Sequence, residues 1–248
     1  MHASIAAIDR LDWTDIADRL DQEGQALLPG LLAPEAARDL ARRTAAMPAA
    51  PAFGKPGHGE WLHFGQPLPA PWAEWRATFY PRLAVIANRW NALLGSDGSY
   101  PGSLDAFLQR NRRAGQGWPQ SYLSRLRAGD HVPLHQRNDG EHVFPLQVVA
   151  LLSEAGRDFQ GGEFVMTEQR PRMQSRPMVL PLGLGDAAII ATAARPARGG
   201  GGHYRALLRH AISRVQQGVR VGVELSFHDA PAPRRGSSYD ADEQHKQG

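Results

Sequence analysis

Along the first hundred residues, apolar side chains recur at steps of three and four. Leu11, Ile16 and Leu20 lie on one helical face, and Gly24 ends that run, which predicts a helix over 11–24. Pro34 sits where a first helical turn tolerates proline, so 34–44 reads as a second short helix. Trp72, Trp75, Phe79, Leu83, Ile86, Trp90 and Leu93 form one apolar stripe over 71–94, with a break expected at Pro81. At that spacing the aromatic residues read as core rather than as a ligand cage. Residues 104–113 form another amphipathic helix, and the Pro-, Gly- and Ala-rich stretch 48–71 reads as a long loop.

After residue 120 the period shortens. SYLSRLRAG alternates, and VFPLQVVALLSE, GGEFVMTEQ, MVLPLGLGDAAIIATA, YRALLRHAISRV and VRVGVELSFHDA follow as short apolar or β-branched runs bounded by Gly, Pro or Asp. Strands at regular spacing without intervening helices predict a mainly β fold, a jelly roll with the N-terminal helices packed on one side. The expected organisation is a helical region over 1–118, a β domain over 119–230 and a disordered tail, rich in Pro, Ser and charge, over 231–248.

Composition narrows the chemistry. Hydrophobic residues make up 42% of the 248 residues, enough for a core. The chain has no cysteine, which removes disulfides, iron–sulfur clusters and thiol catalysis and leaves His, Asp and Glu to hold any metal. The net charge of +3 comes from arginines spread along the chain, with no basic run interleaved with aromatics, so no nucleic-acid partner is expected. The N-terminus lacks a basic and apolar leader pattern. No stretch reaches the ~18 apolar residues of a membrane helix, so the expectation is a cytoplasmic protein without a membrane partner. Nothing in the sequence sets the oligomeric state.

Among the ten histidines, His135 stands just before an N-D-G turn and His210 inside a later strand. Two such residues can meet across a barrel mouth and, with a carboxylate, form a facial three-ligand site with open positions, which suits Fe(II). Around them, GGEF at 161–164, LGDAAII, LRHAISRV with Arg220 ten residues after His210, and FHDA make the segment 61–230 similar to the Fe(II)/2-oxoglutarate-dependent dioxygenase superfamily, in particular its prolyl-4-hydroxylase-like bacterial branch. The resemblance implies a double-stranded β-helix. It implies Fe(II) held by a His-X-Asp/Glu…His triad, with His135 and His210 as the histidines. It implies 2-oxoglutarate anchored by Arg220, with ascorbate as a reductant. The implied reaction couples oxidative decarboxylation of 2-oxoglutarate to hydroxylation of an unactivated C–H bond in a peptide or small molecule. His210 and Arg220 are expected on neighbouring strands joined by the QQG turn.

The chain departs from that pattern at three positions. Arg137 stands where the family has its Asp or Glu ligand, Leu126 where the branch has a co-substrate tyrosine, and Gly222 where a Ser or Thr is common. Three readings follow. Asp139, or less directly Glu141, is returned to the metal by the turn. Alternatively, iron keeps two protein ligands while Arg137 holds an anion beside it. In the third, the metal is lost, and a catalytically retired jelly roll binds an acidic small molecule through Arg137, Arg125 and Arg220.

Overall fold

A computed structural model describes residues 5–52, 57–64 and 67–232. Five helices form the N-terminal layer: α1 (Ile5–Asp9), α2 (Trp13–Glu23), α3 (Pro34–Arg43), α4 (Trp72–Leu93) and α5 (Leu104–Arg113). The Asp12 side chain caps α2 by accepting from the Thr14 and Asp15 amides at 3.1 and 3.0 Å. Gly24 closes α2 in the left-handed conformation, its N–H bonded to Leu20. The expected break at Pro81 does not occur, and α4 runs unbroken for 22 residues. Pro81 lies on the exposed face, where water can serve the carbonyl that loses its amide partner. The opposite face buries Trp75, Phe79, Leu83 and Trp90, as core aromatics should be.

The strands are β1 (Gln25–Leu28), β2 (Ala50–Pro51), β3 (Glu60–His63), β4 (Gln116–Pro119), β5 (Tyr122–Arg127), β6 (Val132–His135), β7 (Leu146–Leu151), β8 (Phe159–Gly161), β9 (Phe164–Gln169), β10 (Arg176–Leu180), β11 (Ala187–Ala191), β12 (Ala194–Gly199), β13 (Gly202–Ile212), β14 (Val215–Ser226) and β15 (Asp229–Pro231). One sheet has the order β1-β11-β7-β14-β5-β3-β2, with β8 on β14. The other has the order β10-β9-β13-β12, with β6 on β13. β4 and β15 form a separate pair. All pairs between named strands are antiparallel. This is the mainly β jelly roll with helices against it. β7, flanked by β11 and β14, is buried at all six residues and is accordingly apolar except for Gln147.

Three details differ from expectation. The region 1–118 contributes strands as well as helices, since β1 and β3 pair with β11 and β5. Part of the expected loop 48–71 forms β2 and β3, while 53–56 and 65–66, like the tail from 233, lie outside the described residues. The link between β13 and β14 is Ser213–Arg214, not QQG, and the two strands lie in different sheets. QQG falls in β14 beside an irregular register, where Gly218 has φ +75° and a Cβ would stand 2.0 Å from the Asp158 carbonyl oxygen. Among the described residues, no helix is long and apolar enough to cross a membrane.

Candidate metal and co-substrate site

His135 ends β6 and is the direct cross-strand partner of His210 on β13, with ring centroids 4.2 Å apart. Gln136 fastens this strand end by donating to the Ala193 and Leu208 carbonyls at 2.9 and 2.8 Å. His135 Nδ1 lies 3.0 Å from the Pro133 carbonyl, and a proton on that nitrogen keeps the lone pair on Nε2. Burial, then His210 and Arg137, hold the His135 ring neutral, well below the usual histidine range. Phe164 stacks on His210 at 5.9 Å, with the rings within 6° of parallel. The Gln147 amide sits 3.1 Å from His210 Nε2.

The carboxylate that joins the two rings is Glu224. One ligand atom from each of His135, His210 and Glu224 falls within 4.8 Å of the others. Glu224 is buried, and its Oε2 lies 3.8 Å from His210 Nε2, an electrostatic contact rather than a hydrogen bond. That oxygen has no hydrogen-bond partner. Burial opposes the charge, but the neighbouring His210 and Arg137 outweigh it and hold the carboxyl well below the usual carboxylate range. Two imidazoles and one carboxylate make an N,N,O donor set that fits Fe(II).

Asp139 and Glu141 are not part of this cluster. The turn that carries them is tied towards β4, because the Gln116 side-chain oxygen accepts from the Glu141 and His142 amides at 3.0 and 2.8 Å. Glu141 is exposed beside His142. Arg137 is buried, its guanidinium 4.8 Å from the ring centroids of both Trp61 and Tyr122. It donates to the Tyr122 hydroxyl, and Tyr122 is the cross-strand partner of Glu224. Arg125 lies on the opposite face of β5 from Tyr122 and Ser124 and pairs with Glu60 at 2.6 Å.

Arg220 shares the inward face of β14 with Gly222 and Glu224. Its Nε donates to the Gly162 carbonyl at 2.8 Å. Gly162 has φ +66°, and a Cβ there would press on the arginine at 3.0 Å, so the GG of GGEF both turns the chain and seats Arg220. Burial pulls the Arg220 pKa down to about 10, which leaves the side chain charged at neutral pH. Arg220 and Phe164 line a cavity of about 330 Å³ bounded by Leu151, Phe159 and 179–182. A small cleft beside it is lined by Arg220, Ser124, Gly222 and Glu224, so the cation and the carboxylate open on the same space. Ser124 faces Gly222 across β5 and β14, its Oγ 3.4 Å from where a residue-222 Cβ would stand.

Sequence reasoning missed Glu224, Tyr122 and Ser124 as site residues. The signal was present: an acidic residue inside the apolar run VRVGVELSF, four positions after Arg220 and therefore on its face of the strand.

The sequence profile of a family described as "oxygenase, catalysing oxidative methylation of damaged DNA" matches residues 59–230. The chain belongs to this oxygenase family. Two uncharacterised proteins from two strains of Mycobacterium tuberculosis are each 40% identical to this chain over 155 residues. The match covers 62% of this chain and 66% of theirs, just under two thirds of the relatives' length. Among solved structures, a Pseudomonas putida prolyl-4-hydroxylase superposes with a TM-score of 0.51 at 13% identity, over 88% of this chain and 98% of that one. A Trichoplax adhaerens prolyl hydroxylase, solved with a hypoxia-inducible-factor peptide fragment, gives 0.53 at 11% identity, over 91% and 92%. At such identities the likeness shows the shared jelly-roll fold.

Proposed function

We propose that this chain is an Fe(II)- and 2-oxoglutarate-dependent oxygenase. The observation that carries the reading is the meeting of His135, His210 and the buried carboxylate of Glu224, which itself lines a cleft with Arg220. Bound iron would supply the redox chemistry, in which O₂ and 2-oxoglutarate give succinate and CO₂ and one oxygen atom enters a substrate C–H bond.

The protein's part is to bind, orient and keep water out. His135 and His210 serve as imidazole ligands. Arg220 offers a planar fork to the distal carboxylate of 2-oxoglutarate. Ser124 stands in for the hydroxyl absent at Gly222 and donates to the same carboxylate. The apolar walls at Leu151, Phe159 and Phe164 strengthen that pairing by lowering the local dielectric. Arg137, Trp61 and Tyr122 pack together as one wall beside the His135, His210 and Glu224 cluster.

The family description brings damaged DNA forward as a substrate, although the chain lacks a basic run interleaved with aromatics and the resemblance to the prolyl-4-hydroxylase-like branch implies a peptide or small molecule. The decisive experiment adds Fe(II) and 2-oxoglutarate anaerobically to the metal-free protein. The expected result is a visible charge-transfer band that His210→Ala abolishes. Succinate release in air, with ascorbate present, then compares methylated single-stranded DNA with peptides and small acids. No band and no retained iron would favour the second reading, suggested by Arg137 at the ligand position: a module holding an acidic molecule through Arg220.

A further inference from the structure

We infer that the metal-binding carboxylate has moved from residue 137 to Glu224, so that the third ligand comes from β14 and Arg137 has become its positioning residue. The inference rests on the oxygenase reading and names the ligand that the reading leaves open.

Strand geometry delivers the carboxylate. On β14 the side chains of Arg220, Gly222 and Glu224 face one way. Glu224 is in register with Tyr122 of β5 on one side and Val149 of β7 on the other, so it projects from the middle of the eight-stranded sheet. The two histidines come from the facing sheet. A metal at this point would tie the two sheets together. In the expected pattern, the carboxylate would instead follow His135 by two residues, on the same sheet edge.

The bonding around Glu224 favours an occupant. A buried carboxylate oxygen without a donor is unfavourable, and proteins rarely tolerate one. The Glu224 Oε2 has no hydrogen-bond partner and lies on the side of the imidazoles. Across the strand pair it faces Tyr122, which takes a hydrogen bond from Arg137. The guanidinium therefore stands one tyrosine away from the carboxylate, braced over Trp61. A cation so placed steadies the face of the sheet from which Glu224 projects without entering the coordination sphere. The Arg137 backbone is anchored as well, its amide bonded to Thr192 at 3.2 Å.

The test is a metal-affinity measurement that needs no turnover. Anaerobic Fe(II), and Co(II) as a redox-inert probe with a visible d–d spectrum, are titrated into wild type, Glu224→Gln, Asp139→Asn, Tyr122→Phe and the transplant Arg137→Asp/Glu224→Gly. Circular dichroism confirms that each variant is folded. Glu224→Gln is expected to lose more than the ~10–100-fold typical of an outer-shell partner. Asp139→Asn should bind as wild type. Tyr122→Phe should lose about tenfold and shift the Co(II) spectrum, which a merely structural tyrosine would not do. The transplant should regain the affinity lost in Glu224→Gln. Wild-type affinity in Glu224→Gln overturns the inference. So does an outcome in which only the transplant binds metal, and the oxygenase reading of the wild-type chain then falls with it. If neither wild type nor transplant binds metal, the oxygenase reading falls as well.

Discussion

Two buried glutamates show how bonding separates structure from function. Glu168 on β9 is 1% exposed and Glu224 on β14 is 4% exposed. Both titrate below the usual carboxylate range despite burial. Their surroundings differ. Both Glu168 oxygens are taken: Arg195 donates to one through Nε at 2.8 Å and pairs with it through a second nitrogen at 2.6 Å, and Arg170 holds the other at 2.7 Å. Arg195 also reaches the Asp21 and Pro196 carbonyls. That pair closes on itself and joins β9 and β12 to α2. Glu224 keeps one oxygen without a hydrogen bond beside two imidazoles. A saturated buried ion pair is scaffold, whereas a buried carboxylate with an open oxygen, beside two histidine rings, is a place for a ligand.

The comparison breaks first on Glu168→Ala. Removing one partner from a buried ion pair costs about 3–5 kcal/mol. We expect that loss in chemical denaturation, while iron affinity per folded molecule stays at the wild-type value. A matching loss of iron affinity would show that the two glutamates are not separate. Next comes Arg220→Ala, expected to weaken 2-oxoglutarate binding on the order of 100-fold, the worth of a charge-assisted contact in a dry cleft. Metal affinity measured without 2-oxoglutarate should be unchanged. Equal losses of both would make Arg220 a structural arginine like Arg195.

A pH dependence follows from His228. Burial, with the charges of Arg76 and Arg137, pushes its pKa from 6.5 down to about 3. The ring is therefore neutral in the fold, while the unfolded chain takes up a proton below 6.5. Stability is complete above pH 6.5 and is lost as pH falls towards 3, by ~2 kcal/mol at pH 5. Denaturation midpoints at pH 7, 6 and 5 should show this slope, and His228→Asn, which keeps an acceptor for the Phe144 amide, should flatten it. The smallest effect is that of Ser124→Ala. It should weaken 2-oxoglutarate about fivefold, as loss of one neutral hydrogen bond does. Gly222→Ser in the same chain should restore most of it, because residue 222 has an ordinary backbone and the tightest side-chain neighbour of a Cβ there is the movable end of Arg220. No change in Ser124→Ala would leave Arg220 as the whole anchor.

Local pattern was enough to read the helices at 13–23, 34–43 and 104–113, the main strands and the jelly roll, because each depends on neighbours a few residues apart. The Pro81 break failed because a proline on an exposed helical face loses only a solvent-side bond. The QQG turn failed because a glycine with positive φ serves a bulge as well as a hairpin. His135, His210 and Arg220 were singled out by spacing; the structure sets the two histidines side by side with Glu224, and Arg220 on the same face of β14 as Glu224. The missing carboxylate was sought close to Arg137 in sequence, where the turn was free to bend.

What the sequence determined by itself was the period of each segment, the residues able to bind metal and the absence of an acidic residue at 137. What only the tertiary structure decided was which carboxylate meets the histidines. Side chains separated by dozens of residues become neighbours through strand register and the packing of one sheet on another. That register is a sum of many weak contacts, and no local stretch of chain contains it.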